Sequence, residues 1–266
     1  MFLTGILGAL IGLTLGLTGA GGGILAVPAL VLILGYPMHV AGPVALVAVG
    51  LAALIGALDG LRRHTVRYKA ALLMSLVGGL VTPAGIYLAG RLPSNWLQAL
   101  FSGVMLIVAA RMFAQVRAAR AGLPEQAHSK PCMLSSETGR FIWTPRTGLT
   151  ISSIGAVSGL FTGMLGVGGG FIIVPALRHF SNVNMHGIVA TSLMVITLVS
   201  ASAVGNAFAQ GLTLSAQSWV FIACAVTGMG LGRVLAPKVP PRALQLSFAS
   251  VSTVVALIML IKAVQS

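Results

Sequence analysis

Two glycine clusters are the groupings in this chain best suited to chemistry: Gly16-Leu17-Thr18-Gly19-Ala20-Gly21-Gly22-Gly23 and Gly163-Met164-Leu165-Gly166-Val167-Gly168-Gly169-Gly170. Glycine runs break helices, and without Cβ atoms they let main-chain N–H groups approach a guest closely. An apolar segment follows each cluster, so free N–H groups and the positive end of a helix would face the loop, which favours an anion. Gly19, Gly21, Gly22, Gly23, Gly166, Gly168, Gly169 and Gly170 are therefore the candidate substrate-binding positions. The alternative for any of these glycines is close helix packing, and packing is the reading for the four-spaced Gly8, Gly12, Gly16 and Gly155, Gly159, Gly163 upstream. Neither cluster fits G-x-G-x-x-G or ends in Gly-Lys-Ser/Thr, which excludes a nucleotide-binding loop.

The polar residues within apolar runs are few. Thr191, Ser192 and Asn206 could donate hydrogen bonds to an anion or could stitch membrane helices together. Thr18 is a further hydroxyl, without a counterpart in the second cluster, where Leu165 stands. Asp59, the only acid outside the polar middle segment, reads either as an intramembrane carboxylate coupling protons or as an interfacial ion-pair partner of Arg62 and Arg63. His39 and His186 each follow a glycine-broken segment, where an imidazole could carry protons near physiological pH or simply cap a helix. No H-E-x-x-H pattern occurs, and five histidines with three acids leave little material for acid–base catalysis. Cys132 and Cys224 lack metal-ligand spacing. The expectation is a chain that is no enzyme, with no catalytic residue, metal or cofactor.

The elements that must position these residues lie in a membrane. The composition is 57% hydrophobic and only 7% charged, with a mean hydropathy of +1.00, outside the range of soluble domains. The formal charge of +13 comes from Lys and Arg in short gaps between apolar runs, as cytoplasmic loops require, so lipid and not nucleic acid is the partner. No basic residue precedes Arg62, so the first apolar stretch is read as mature protein and not as a cleaved signal. Apolar runs cover about 2–35, 39–58, 70–90, 95–113, 148–178, 187–208, 217–236 and 243–263. A crossing takes roughly 20 residues. Six runs fit one helix each, while the first and fifth are half as long again and broken by glycine.

A constant offset of 147 residues aligns the halves without a gap. It pairs the glycine clusters, then Val27-Pro28-Ala29-Leu30 with Val174-Pro175-Ala176-Leu177, Met38-His39 with Met185-His186, Asp59 with Asn206, and Leu97-Gln98 with Leu244-Gln245. The division is a membrane repeat over 1–116, a polar cytoplasmic linker over 117–147 and a second repeat over 148–266. Loop charge suggests inversion. Residues 59–69 carry Arg62, Arg63, Arg67 and Lys69 while 206–216 carry no basic residue, and the bias reverses between 90–95 and 233–242. Inversion needs an odd number of traversals per half, which a glycine-broken half-helix pair plus three spanning helices supplies. The competing arrangement has eight spans and parallel repeats, and leaves Arg233, Lys238 and Arg242 on the wrong side.

The two Gly-x-Gly-Gly-Gly-x(4)-Pro-x-Leu segments, one opening each half, resemble the sulfite exporter TauE/SafE family. The second copy, Gly159 through Leu177 followed by Ala190-Thr191-Ser192-Leu193, matches the family pattern closely. The first copy has Val44-Ala45 where that pattern has Thr-Ser. The resemblance implies export of sulfite, a sulfonate or a related sulfur-containing anion across the inner cell membrane. The expected protein is thus an all-α, multi-pass secondary transporter using alternating access, with protons as a candidate coupling ion. An anion channel or a non-transporting membrane subunit is the rival.

Overall fold

The computed structural model describes residues 1–19, 22–120, 132–133, 141–209, 211, 214–236 and 241–265. Gly21, Lys238 and most of the linker, including both of its acids, lie outside these residues. The described chain is almost wholly helical. In chain order come α1 (Phe2–Thr18), α2 (Gly22–Ile33, with a 3-10 start and a π-helical end), α3 (Met38–Arg62), α4 (Tyr68–Arg91) and α5 (Ser94–Arg120), then α6 (Pro145–Leu165), α7 (Gly170–Phe180), α8 (Met185–Ala209), α9 (Ala216–Leu235) and α10 (Pro241–Gln265). Seven of them, α3, α4, α5, α6, α8, α9 and α10, are long and apolar enough to cross a membrane. α5 runs on to Arg120, into the stretch read as linker.

Helix ends follow from local chemistry and recur 147 residues apart. α1 and α6 stop at Gly19 and Gly166, whose φ values of 80° and 72° turn the chain left-handed, and whose N–H groups bond the Leu15 and Thr162 carbonyls. α6 starts on Thr144, whose side chain accepts from the Thr147 N–H, with Pro145 at the first helical position. α9 starts on Ser215, whose side chain accepts from the Ser218 N–H.

The four-spaced glycines bring backbones into contact, as read from their sequence spacing. A Cβ at Gly8 would strike Phe221, at Gly12 it would strike Ala225, and at Gly16 it would strike Met229 and Gly232, so α1 and α9 lie side by side and run the same way. Gly155, Gly159 and Gly163 meet Met74, Gly78 and Thr82 in the same progression, so α6 and α4 do likewise. Thr82 ties that pair by donating to the Gly159 carbonyl at 3.2 Å.

The central pair is α3 and α8, most of whose length is buried. Gly50 faces Ser200, Gly56 faces Leu193 and Gly60 faces Ala190, so these equivalent helices run antiparallel. α3 runs with α9, since Gly56 meets Met229 and Asp59 meets Arg233. α8 runs with α4, since Thr191 meets Arg67 and Val199 meets Gly78.

Direction then follows for the broken segments. α1 and α3 both run with α9, so the chain between them must come back, and α2 is the return. Its 12 residues rise about 18 Å, roughly half of a ~30 Å hydrocarbon core. α7, with 11 residues, returns between α6 and α8. The glycine-broken pair is therefore unequal, a nearly full-length or full-length outward leg and a half-length return.

Leu76, Leu80, Ile107, Leu231 and Val254 stand exposed on the outer helices α4, α5, α9 and α10. A soluble protein would not present such a surface; lipid accepts it at no cost. Arg62, Arg63, Arg67, Lys69, Arg146 and Arg233 gather at one end of the bundle, here the basic end, whereas Arg91 ends α4 at the other. The described linker residues dock at the basic end, where the Cys132 N–H donates to the Phe180 carbonyl at 3.0 Å and Phe141 is buried beside Val66 and Ala70. Burial pushes the Cys132 thiol up from its ordinary pKa.

Replacing Gly12 by Val forces α1 off α9 and should cost about 1–3 kcal/mol, the usual price of overpacking. A lower melting temperature in detergent checks it. Gly103→Val, where an added Cβ meets nothing within 4 Å, should melt with the parent.

Candidate functional site

Both glycine loops end against the middle of α3 and α8. A Cβ on Gly23 would lie 3.0 Å from Val49 and 3.4 Å from the Val167 carbonyl, which belongs to the other loop. A Cβ on Gly168, at φ 75°, would lie 3.0 Å from Ile196, 3.4 Å from the Ser200 Oγ and 3.5 Å from Val49. Val49 lies near the midpoint of α3, so the first loop, the second loop and the crossing helices converge there. The outer corners anchor elsewhere: Gly19 sits on Val189 at the start of α8, and Gly166 on Gly42 at the start of α3.

The middle glycines serve the turn itself. A side chain on Gly22 would enter the backbone of α1 at Thr14 and Leu15, and the Gly22 N–H donates to the Thr18 Oγ1 at 3.1 Å. Gly169, at φ 66°, is pressed against Ser158 and Thr162 of α6. Gly170 then opens α7, and like the first residues of any helix it and Phe171 have N–H groups with no carbonyl ahead of them in the helix. Those donors, with the positive end of the α7 dipole, point into the loop region.

Two hydroxyls complete this region, and reading the sequence missed both. Ser158 on α6 and Ser200 on α8 have fully buried Oγ atoms without a hydrogen-bond partner among the described protein groups. A buried unpaired hydroxyl costs about 1–3 kcal/mol, so these are donors in want of an acceptor. Their repeat counterparts are Ile11 and Ala53, so neither hydroxyl recurs in the first half. A serine inside an apolar run was the only signal available.

The other candidates are placed apart from the loops. Thr191 is buried and its Oγ1 accepts from the Arg67 N–H at 3.0 Å, joining α8 to the turn before α4. Ser192 donates to the Val189 carbonyl at 2.9 Å and Asn206 to the Ser202 carbonyl at 2.9 Å, each within its own helix. Asp59 is held in ion pairs, by Arg63 Nε at 2.8 Å and by Arg233 Nη2 at 2.9 Å. His39 and His186 are exposed second residues of α3 and α8 and, because those helices are antiparallel, stand at opposite ends of the bundle. Gly21 lies outside the described residues.

A cavity is found at each end. One of about 230 Å³ at the basic end is lined by His64, Arg67, Lys69, Phe141 and Trp143, and the Arg67 Nε there is buried without a described partner. The other, of about 440 Å³, lies between the ends of α4 and α8 and is lined by Pro83, Ile86, Tyr87, Gly90, Arg91 and Asn206. In it the Arg91 guanidinium stacks 4.7 Å over the Tyr87 ring.

Comparison with known proteins agrees with this architecture. The profile of the family described as sulfite exporter TauE/SafE matches residues 4–259. Two proteins of Xylella fastidiosa, from strains Temecula1 and 9a5c, each described as a probable membrane transporter protein, are 28% identical over 87% of this chain and 83% of their own length. No solved structure matches significantly.

The loop geometry separates two kinds of glycine variant. Gly23→Ala adds a methyl group against a side chain, so the protein should insert normally while binding at the loops weakens. Gly22→Ala drives a methyl group into backbone, so the folded yield itself should fall. Ser200→Ala should preserve or raise thermal stability and reduce anion affinity by roughly tenfold, the worth of one hydrogen bond to a charge. Ligand-dependent thermal shift reads both quantities; a Ser200→Ala protein with unchanged anion affinity would remove the hydroxyl from the site.

Proposed function

The chain belongs to the sulfite exporter TauE/SafE family, and from that premise we propose that it is a secondary transporter exporting sulfite, a sulfonate or a similar small sulfur-containing anion by alternating access. The observation that carries this reading is the convergence of both glycine loops, the N-terminus of α7 and two partnerless buried hydroxyls on the crossing of α3 and α8. Discontinuous helices meeting near mid-membrane between repeats are the usual build of a carrier site. The antiparallel pairing of α3 with α8, with half-length returns in α2 and α7, supports inverted repeats of five traversals each. On that topology the basic end faces the cytoplasm of a cell whose inner membrane holds the protein.

The groups that meet at the loops are N–H and O–H donors without formal charge. Such a site holds an anion loosely enough to release it, and it suits a singly charged ion better than a doubly charged one, which would leave more charge unneutralised in low dielectric. Hydrogen sulfite fits better than sulfate or the sulfite dianion. A membrane potential negative inside drives such an anion outward without a coupling ion. His39 and His186, one at each end, and the paired Asp59 are the candidates should protons be coupled. The family is one of membrane exporters, which supports transport as the activity of these loops.

Proteoliposomes loaded with sulfite test the reading. Efflux of labelled sulfite should saturate, accelerate when the compartment facing the basic end is made negative, rise as pH falls through the second ionisation of sulfite, and yield less to sulfate than to a short alkylsulfonate. A carrier also shows counterflow, uptake of label driven by unlabelled substrate inside. Flux without counterflow would make the protein a channel, and absence of flux for every anion would end the substrate assignment.

A further inference from the structure

The repeat makes one asymmetry informative. Helix pair α3–α9 at the basic end corresponds to α8–α4 at the other, and the 147-residue offset equates Asp59 with Asn206 and Ile86 with Arg233. At the basic end, Arg233 Nη2 donates to Asp59 Oδ2 and to the Gly56 carbonyl, each at 2.9 Å, fastening a helix of one half to a helix of the other. At the opposite end Asn206 and Ile86 cannot form such a pair. Asn206 turns to its own helix, and it and Ile86 instead line the 440 Å³ cavity. The neighbouring packing does not differ: Gly232 presses on Leu13 and Gly16 just as Gly85 presses on Leu160 and Gly163. The two ends thus differ at these residues: one carries an ion pair that ties the halves together, and the other carries Asn206 and Ile86 in its place.

We infer that the Asp59–Arg233 pair is the latch of a gate at the basic end, and that the structure is the state with that gate shut. The inference rests on the alternating-access reading above. The pair suits a contact that breaks in every cycle. Its side chains are 36% and 22% exposed, so water can receive the charges, whereas parting a fully buried pair would strand them. Arg63 stays on Asp59 Oδ1 and keeps the carboxylate partnered when Arg233 leaves. Among the described residues the Asn206–Ile86 positions offer no such pair, so the tie between the halves is stronger at the basic end.

Accessibility of a cysteine tests this without any substrate. Val189, half-buried against Gly19 at the basic end, is replaced by Cys in a Cys132→Ala/Cys224→Ala background, and a membrane-impermeant thiol reagent is applied to the side that the basic end faces. Arg233→Gln and Asp59→Asn should each raise the labelling rate by at least about tenfold, as expected when the shut state loses its advantage. The double variant should label no faster than either single one, because both remove the same contact, and Arg233→Lys should stay near the parent. Equal labelling in parent and variants, or additive increases, would overturn the latch; should Arg233→Gln fail to insert, Asp59→Asn carries the same comparison. Sulfite flux is measured on the same preparations. Loss of the substrate assignment with shifted labelling leaves the latch standing, and normal flux with unshifted labelling removes the latch alone.

Discussion

Hydrocarbon has nothing to offer an unpaired N–H or C=O, and the rest of this structure follows from where the chain leaves helical geometry in spite of that. Glycine breaks both halves at the same place, so two stretches of irregular backbone must be sheltered by protein. The shelter is the crossing of α3 and α8, the most buried of the candidate spans among the described residues. Each loop is closed by contacts with both halves: Gly19 on Val189 and Gly23 on Val49, Gly166 on Gly42 and Gly168 on Ile196. Neither half could cover its own break. The same sheltering that stabilises the loops also keeps the Ser158 and Ser200 hydroxyls beside them away from water, where a hydrogen bond is electrostatically stronger.

Close approach is the second condition. Between helices in lipid there is no hydrophobic driving force, so contact rests on van der Waals packing and a few hydrogen bonds. The glycine rows on α1 and α6 let those helices lie against α9 and α4 backbone to backbone, with Thr82 bonding across one seam. Each seam joins an element of one half to an element of the other. At the basic end the partly exposed Asp59–Arg233 ion pair adds a polar tie between the halves.

The family and the transport reading were accessible before any coordinates, because composition, the 147-residue repeat and the doubled glycine motif all reside in residue order. Helix ends were legible where a single residue sets them, as Gly19 and Gly166 do by adopting positive φ. Asp59 shows the limit. Its spacing to Arg62 and Arg63 revealed a partner within its own helix, and the structure pairs it with Arg63, but nothing in the order of residues pointed to Arg233, 174 positions away.

Sequence alone determined what is local or periodic: which stretches enter lipid, that one unit occurs twice, and where glycine interrupts it. Tertiary structure decided what depends on which helices lie side by side. It showed that α2 and α7 turn back, that α3 and α8 oppose each other, that Thr191 and Asn206 bond away from the loops, and that Ser158 and Ser200 lie against them. The reason is physical. A helix shows its periodicity in its own residues, but in a membrane every face is apolar, so the pattern that would tell a partner-facing side from a lipid-facing one is nearly erased, and only packing itself reveals the neighbour.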